Sequence, residues 1–326
     1  MYRGNNKICV DCGSQYCPCH LAYTGDCIKC SLIRGEKTCD CVWQGICVYN
    51  EVQHSNEKLV NERKEYSCDI LEKSEIAENL FLVKIKIPKN LVKHLCSPGA
   101  YVLLKSKNRE SAIFNTPISV MNVDAENSIL EVVIKQVGIK TKTLLDFEDV
   151  IVKGPYFNGI FGVDKICKTK NSNCLVGLSG LSQVNSINVV RKLLENKNTV
   201  EVFINKNSII LEEVTEKLNN LGVNIHIIDI EEDKNFIIDY IKRNNVSLVY
   251  SGGYNPFNKY MKELVDSINK EIALAIANNN LICCGEGICG ACTVNLNGER
   301  VKSCKAQINS RNLLDILWFY ILGGRY

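Results

Sequence analysis

The sequence predicts a multidomain α+β protein: an antiparallel β-barrel followed by a parallel α/β domain of Rossmann-like build, with a cysteine-rich segment at each end. Three observations carry this reading. The 18 cysteines of the 326-residue chain are bunched, nine within the first 47 residues and five between 283 and 304. Short apolar runs of period two, separated by Pro, Gly, Asn and Asp, fill the stretch up to about residue 153. From Cys174 the rhythm changes to strand, helix, strand, helix, which places strands parallel in one sheet with helices on its faces.

The first segment, 1–50, has little sustained hydrophobic alternation and cannot fill an oil core, so it is expected to fold around metal. Its thiols stand as Cys9-x2-Cys12, Cys17-x-Cys19, Cys27-x2-Cys30, Cys39-x-Cys41 and Cys47. Eight of these would complete two four-coordinate sites and leave one spare. Knuckles of the C-x2-C kind suit zinc, and the tight Cys17-Pro-Cys19 and Cys39-Asp-Cys41 pairs accept zinc or an iron–sulfur cluster. Both remain open here, with redox disulfides as a third reading. His20 is an alternative ligand, though a lone His beside cysteines is more often a solvated neighbour.

A polar, charged linker is expected over 51–64. The barrel is expected over 65–165, from the runs 80–87, 100–105, 117–123, 130–137 and 149–153. The α/β domain follows over 166–278, with strands at 174–178, 200–205, 224–229 and 247–253 and helical patterns between and after them. A small domain, 279–326, closes the chain. Its apolar run 316–322 is far shorter than the roughly 20 residues a membrane span needs and reads as a packed terminal helix or strand.

Composition excludes several functions. The formal charge is +3, from 39 basic and 36 acidic residues, and no basic stripe points to nucleic acid or an anionic membrane. The first residues lack the apolar stretch of a signal peptide, so a cytoplasmic location is expected. In a reducing compartment thiols this numerous point to metal rather than to structural disulfides.

The chemistry is most legible at the C-terminus. Cys284-x4-Cys289-x2-Cys292-x11-Cys304 is the spacing that converges four thiolates on the two irons of a plant-type [2Fe-2S] cluster. Gly285, Gly287 and Gly290 suit a loop whose backbone must approach the cluster and turn N–H groups inward. A zinc site would more often show paired C-x2-C knuckles. Cys283 breaks the x4 spacing and is expected to be a packed thiol.

Further motifs extend this. Pro98-Gly-Ala-Tyr-Val102 opens one strand, Thr116-Pro117-Ile118-Ser119 opens another, Gly138-Ile-Lys140-Thr141 makes a turn, and Gly154-Pro-Tyr-Phe-Asn-Gly159 ends the barrel. Gly177-Leu-Ser-Gly180 follows the first α/β strand, and Ser251-Gly252-Gly253 follows the fourth. With their order, these motifs resemble the iron–sulfur flavoprotein electron-transfer subunit of two-subunit dihydroorotate dehydrogenases, and the similar small subunit of NADH-dependent ferredoxin:NADP oxidoreductases. The likeness covers about residues 65–310.

The resemblance implies a ferredoxin-reductase-like protein that passes electrons between NAD(P)H, FAD and the cluster, and so to or from a catalytic oxidoreductase subunit or a ferredoxin-like partner. It implies FAD binding by Thr116, Pro117, Ile118, Ser119, Gly138, Lys140 and Thr141. It implies nicotinamide binding by Gly177, Gly180, Gly252 and Gly253. The chain departs from the family where Thr116 stands in place of an Arg, where Leu178 and Leu181 interrupt the glycine turn, and where Ser251 replaces a Cys. A second reading is therefore carried: an electron-carrying or scaffolding module that has lost nicotinamide binding.

Overall fold

The computed structural model describes residues 8–41, 45–56, 61–107, 115–146, 148–296 and 298–321, with side chains to 316. The N-terminal segment holds only short elements, β1 (Ile8–Cys9), α1 (His20–Tyr23) and α2 (Val48–His54). It is not wholly without a core: Tyr16, Leu21, Ala22 and Cys30 are buried. The stretch read as a linker contains part of α2, and its Arg63 is buried rather than solvated, because four neighbouring groups bind it as described below. Residues 57–60 of that stretch lie outside the described residues.

The barrel is built from β2 (Glu65–Ala77), β3 (Leu80–Lys86), β4 (Tyr101–Ser106), β5 (Thr116–Asp124), β6 (Ile129–Lys135) and β7 (Asp149–Tyr156), with α3 (Lys89–Leu95) and α4 (Ile139–Leu144) in its connections. It closes in the order β2-β3-β6-β5-β4-β7, all antiparallel. Closure leaves no edge to template aggregation. Val83, Ile85, Val102, Leu104, Val132 and Val152 fill the interior, all essentially without exposure. The sequence marks five of the six strands. It misses β2 because only Cys68 of its 13 residues is buried and two register shifts break its alternation against β3.

The α/β domain begins with β8 (Ile160–Phe161) and α5 (Val163–Lys168) and continues through β9 (Asn173–Leu178), α6 (Ser186–Glu195), β10 (Thr199–Asn205), α7 (Glu212–Asn220), β11 (Asn224–Ile228), α8 (Lys234–Arg243), β12 (Leu248–Gly252), α9 (Asn255–Ile268) and β13 (Ala273–Ala277). Its sheet runs β11-β10-β9-β12-β13-β8, parallel except for β8. Chain order reverses between β9 and β12, so the crevice beyond their C-terminal ends is the topological switch point. The helical pattern expected from 182 starts later, at Ser186, because Gly180–Asn185 winds first into a 3₁₀ turn.

Barrel and α/β domain share one apolar core. Leu80, Leu82 and Met121 of the barrel pack with Val184, Ile187 and Val190 of the α6 region. Polar pins reinforce it: Asn188 donates to the Leu95 carbonyl at 3.2 Å, and Arg191 to the Asn122 side chain at 2.8 Å.

The chain ends with β14 (Thr293–Leu296), β15 (Glu299–Lys302), β16 (Ala306–Gln307) and α10 (Ser310–Ile321). Asp315 accepts from Lys259 and Lys262 at 2.7 and 2.8 Å, and Arg311 donates to Asp266 at 2.7 Å, which fastens α10 to α9. The apolar run 316–322 thus falls at the end of a helix, and its side chains from 317 lie outside the described residues. The two cysteine-rich ends, far apart in sequence, are neighbours, since β1 pairs antiparallel with β16 and Val10 donates to the Lys305 carbonyl at 3.0 Å. Among the described residues no helix is long and apolar enough to cross a membrane.

Candidate metal centre and cofactor crevice

The loop from Cys283 to Cys292 owes its course to three glycines in the left-handed region, with φ of +67° at Gly285, +79° at Gly287 and +79° at Gly290. Side chains at the first two would also collide, with the Tyr156 ring at 2.6 Å and with Leu21 at 2.9 Å. The loop therefore lies flat against the barrel end on one side and against the N-terminal segment on the other. Its N–H groups turn inward as the spacing anticipates: those of Glu286 and Cys289 point at the Cys284 sulfur, 3.3 and 3.5 Å away.

The four thiols come together as two pairs. Cys292 and Cys304 share a hydrogen bond at 3.1 Å and are both buried. Cys284 and Cys289 contact each other and are more open, with Cys289 exposed. The hydrogen bond with Cys304 draws the Cys292 thiol down to about 6, whereas Cys304, which keeps the shared proton, is raised. Burial opposes ionisation of Cys289, but backbone N–H groups around it bring its thiol below the ordinary value. Two thiol pairs, one buried and one at the surface, fit the donor set that a two-iron cluster requires. Beside Cys304, the buried hydroxyls of Tyr101 and Ser303 have no hydrogen-bond partner among the described residues, and they are donors suited to cluster sulfides. Cys283 is half-buried and touches Cys289, with the Lys140 ammonium in range.

Behind the loop stands a charge cluster the sequence reading missed. Arg63 donates to Asp11 at 2.6 Å and to Glu286 at 3.3 Å, and Lys305 donates to the same two carboxylates at 2.6 and 2.7 Å. Tyr156 donates its hydroxyl to Glu286 at 2.9 Å, and Arg63 lies between the Tyr16 and Tyr156 rings, 4.3 and 4.4 Å from their centroids. All four charged groups are nearly fully buried, and two positive charges balance two negative ones. Burial penalises the Asp11 and Glu286 carboxylates, yet Lys305 and Arg63 hold both below their ordinary range. No local pattern announces this quartet, because its members come from four distant places in the chain.

The residues expected at a flavin take up one side of the barrel. Thr116 and Ser119 are half-buried on β5, paired with Leu104 and Tyr101. Gly138 opens α4 with free space where a Cβ would stand, and it is flanked by the exposed side chains of Val137 and Ile139. The N–H groups of Val137 and Gly138 are taken by the Thr141 hydroxyl at 3.1 and 3.2 Å. A pocket of about 250 Å³ lined by Leu103, Lys105, Asn115, Lys153 and Cys284 leads from the start of β5 to the cysteine loop. Glu65 and Glu286 line the same pocket, and Lys105 and Lys153 pair with Glu65 and Glu62 at 3.6 and 3.7 Å, so the features that suit a flavin nucleotide are the exposed apolar edges and the open glycine turn.

The residues expected at a nicotinamide meet at the switch point, where Gly252 pairs with Leu178. Packing demands glycine most at Gly253, where a Cβ would meet the Phe257 ring at 2.1 Å; at Gly252 it would meet Leu178 at 2.9 Å, and at Gly177 only the methyl end of Met261 at 3.0 Å. Gly180 alone faces open space, at φ +62°. The Ser179 hydroxyl and the Asn258 amide nitrogen are buried there without a partner among the described residues, which suits a polar ligand. In the opposite sense, the Gly180 N–H is bound by the Ser208 hydroxyl at 3.0 Å. Fully buried Gln183 also ties this turn to Ile209 and Leu211. Ser251, in place of the family's Cys, is buried and donates to Asn258 at 2.7 Å.

Of the N-terminal thiols, Cys9, Cys12, Cys17, Cys19 and Cys27 line one small void, whereas Cys30, Cys39, Cys41 and Cys47 do not line it. His20 instead lines the pocket at Cys284.

Comparison with known proteins places these features. Residues 242–317 match the model of a 2Fe-2S iron-sulfur cluster binding domain. The dihydroorotate dehydrogenase B (NAD(+)) electron transfer subunit of Fusobacterium nucleatum subsp. nucleatum is 25% identical over 239 residues, covering 69% of this chain and 87% of that protein. The subunit of the same name from Shouchella clausii is 24% identical over 249 residues, covering 73% and 91%. An uncharacterised protein from the adh 3' region of Clostridium beijerinckii is 26% identical over 254 residues, covering 72% and 82%. Among solved structures, the NADH-dependent reduced ferredoxin-NADP oxidoreductase shares the fold with a TM-score of 0.58 at 20% identity, over 77% of this chain and 92% of that one. The chain thus carries a C-terminal [2Fe-2S] domain on a ferredoxin-reductase-like fold, and it resembles the electron-transfer subunits of dihydroorotate dehydrogenases.

Proposed function

We propose that this chain is an electron-transfer flavoprotein subunit that passes electrons between NAD(P)H, FAD and a [2Fe-2S] cluster, to or from a partner oxidoreductase. The observation that carries the reading is the convergence of Cys284, Cys289, Cys292 and Cys304 into two pairs at the barrel end, beside the pocket that begins at β5. A flavin supplies the step between a hydride pair and single electrons, and a two-iron cluster carries one electron at a time. The protein's own part is to hold, orient and insulate. Cys292 and Cys304 would hold the buried side of the cluster, and the Glu286 and Cys289 N–H groups, which point at the Cys284 sulfur, together with the Tyr101 and Ser303 hydroxyls would be the donors that tune its potential. Exposed Cys289, with exposed Ile288 and Leu281 nearby, supplies the face for the partner, a catalytic subunit by likeness to the named relatives. No side-chain acid or base is needed for such a relay.

The module without nicotinamide binding is favoured by one specific observation, the occupation of the Gly180 turn by Ser208 and Gln183. A visible spectrum of anaerobically purified protein, with flavin analysis and stepwise addition of NADH and NADPH, separates the two. Bleaching of flavin and cluster by either nucleotide supports the leading reading. Flavin and cluster that only dithionite bleaches support the second, and a protein with neither chromophore defeats both.

A further inference from the structure

Five thiols meet in the N-terminal segment. Cys12 and Cys17 are in contact, Cys17 is near Cys9, Cys9 near Cys19, and Cys19 near Cys27, so the five form an arc around a single void. Leu21, Ala22, Ile28 and Val48 supply apolar wall, and Asp11 and Lys29 complete it. Backbone N–H groups approach the sulfurs: that of Asp11 at Cys9, that of Gly13 at Cys17, and those of Lys29 and Cys30 at Cys27. The same device surrounds Cys284. Such N–H groups are donors suited to metal-bound sulfur.

The arrangement bears on which metal. One zinc ion draws four sulfurs to about 2.3 Å from a common point. Five thiols line the void, one more than a single zinc takes, and among the described residues no three His, Cys, Asp or Glu side chains are placed to hold a single ion. The C-terminal thiols share that property, and their pairs match a cluster of more than one iron.

Position supplies the third strand of the inference. Cys9 pairs with Ala306 across β1 and β16, two residues from Cys304. Chain geometry then keeps the Cα atoms of Cys9 and Cys304 within about 13 Å. Lys305 and Asp11, bound to each other at 2.6 Å, fill the space between the two thiol sets and exclude water from it.

We propose that four of Cys9, Cys12, Cys17, Cys19 and Cys27 hold a second, polynuclear iron–sulfur cluster, which exchanges single electrons with the C-terminal one. One electron leaves one cluster as the other gains it, and no bond or proton moves. This rests in part on the C-terminal site being a [2Fe-2S] centre, and the test separates the two claims.

The full-length chain, purified anaerobically, is assayed for iron, zinc and acid-labile sulfide and examined by electron paramagnetic resonance after dithionite reduction. Alongside are the double substitution Cys12→Ser/Cys17→Ser, which removes at least one ligand whichever of the five thiols is spare, and Cys289→Ser. The expected result is iron well above the two per chain of a [2Fe-2S] centre. The Cys12→Ser/Cys17→Ser chain should lose the excess and keep the [2Fe-2S] signal, and Cys289→Ser should do the reverse. Should the double substitution fail to fold, the iron and sulfide content of the unsubstituted chain still decides. One zinc per chain with iron near two overturns the proposal, as does a chain with iron near two and no other metal. Iron and signal unchanged in Cys289→Ser would sink the C-terminal assignment instead and leave this one standing.

Discussion

At the scale of single residues, the cluster loop and the charge quartet behind it carry the strongest expectations. Replacing Cys289 with Ser should abolish the [2Fe-2S] absorption and remove about two irons per chain, read by spectrum and metal analysis. Lys305→Met leaves Asp11 and Glu286 with one cation between them, both carboxylates nearly fully buried. It should cost about 3–5 kcal/mol of stability in chemical denaturation, the cost of a buried charge left unpaired. The four C-terminal cysteines were legible because chemistry fixes their spacing along the chain. Asp11, Arg63, Glu286 and Lys305 were not, because each looks like an ordinary surface charge until the fold brings them together.

At the scale of elements, the loop–segment contact makes its own prediction. Gly287 sits at φ +79° with Leu21 against it, so Gly287→Ala meets both backbone strain and a collision. The strain alone is worth about 1–2 kcal/mol. Removing the collision with Leu21→Ala in the same chain should make the double substitution less costly than the sum of the two singles, as measured by denaturation. Elements with clean periodicity, such as β9, α6, β10 and α9, were readable because their burial follows the pattern of their residues. β2 was not, being mostly exposed and bulged, and neither was the two-residue β1, whose partner β16 lies at the far end of the chain. Gly177, Gly252 and Gly253 fit a nucleotide motif in sequence, and in the fold Gly253 is also demanded by the Phe257 ring and Gly252 crowded by Leu178.

At the scale of the whole molecule, two cysteine-rich ends that read as flanking tails are one region, joined by a strand pair and a buried ion cluster. That joint should respond to acid. The carboxyls of Asp11 and Glu286 are held below their ordinary values, so their contribution is complete above about pH 4, the range of unfolded carboxylates. It is lost as pH falls through the lowered native values. Stability measured by denaturation should therefore drop more steeply in acid for the unsubstituted chain than for Glu286→Gln. The most direct test of the central claim is electron paramagnetic resonance of the dithionite-reduced protein together with flavin and sulfide analysis. The expected result is a [2Fe-2S] signal that Cys289→Ser removes, with bound flavin in the same preparation. Zinc without acid-labile sulfide and without flavin would contradict it.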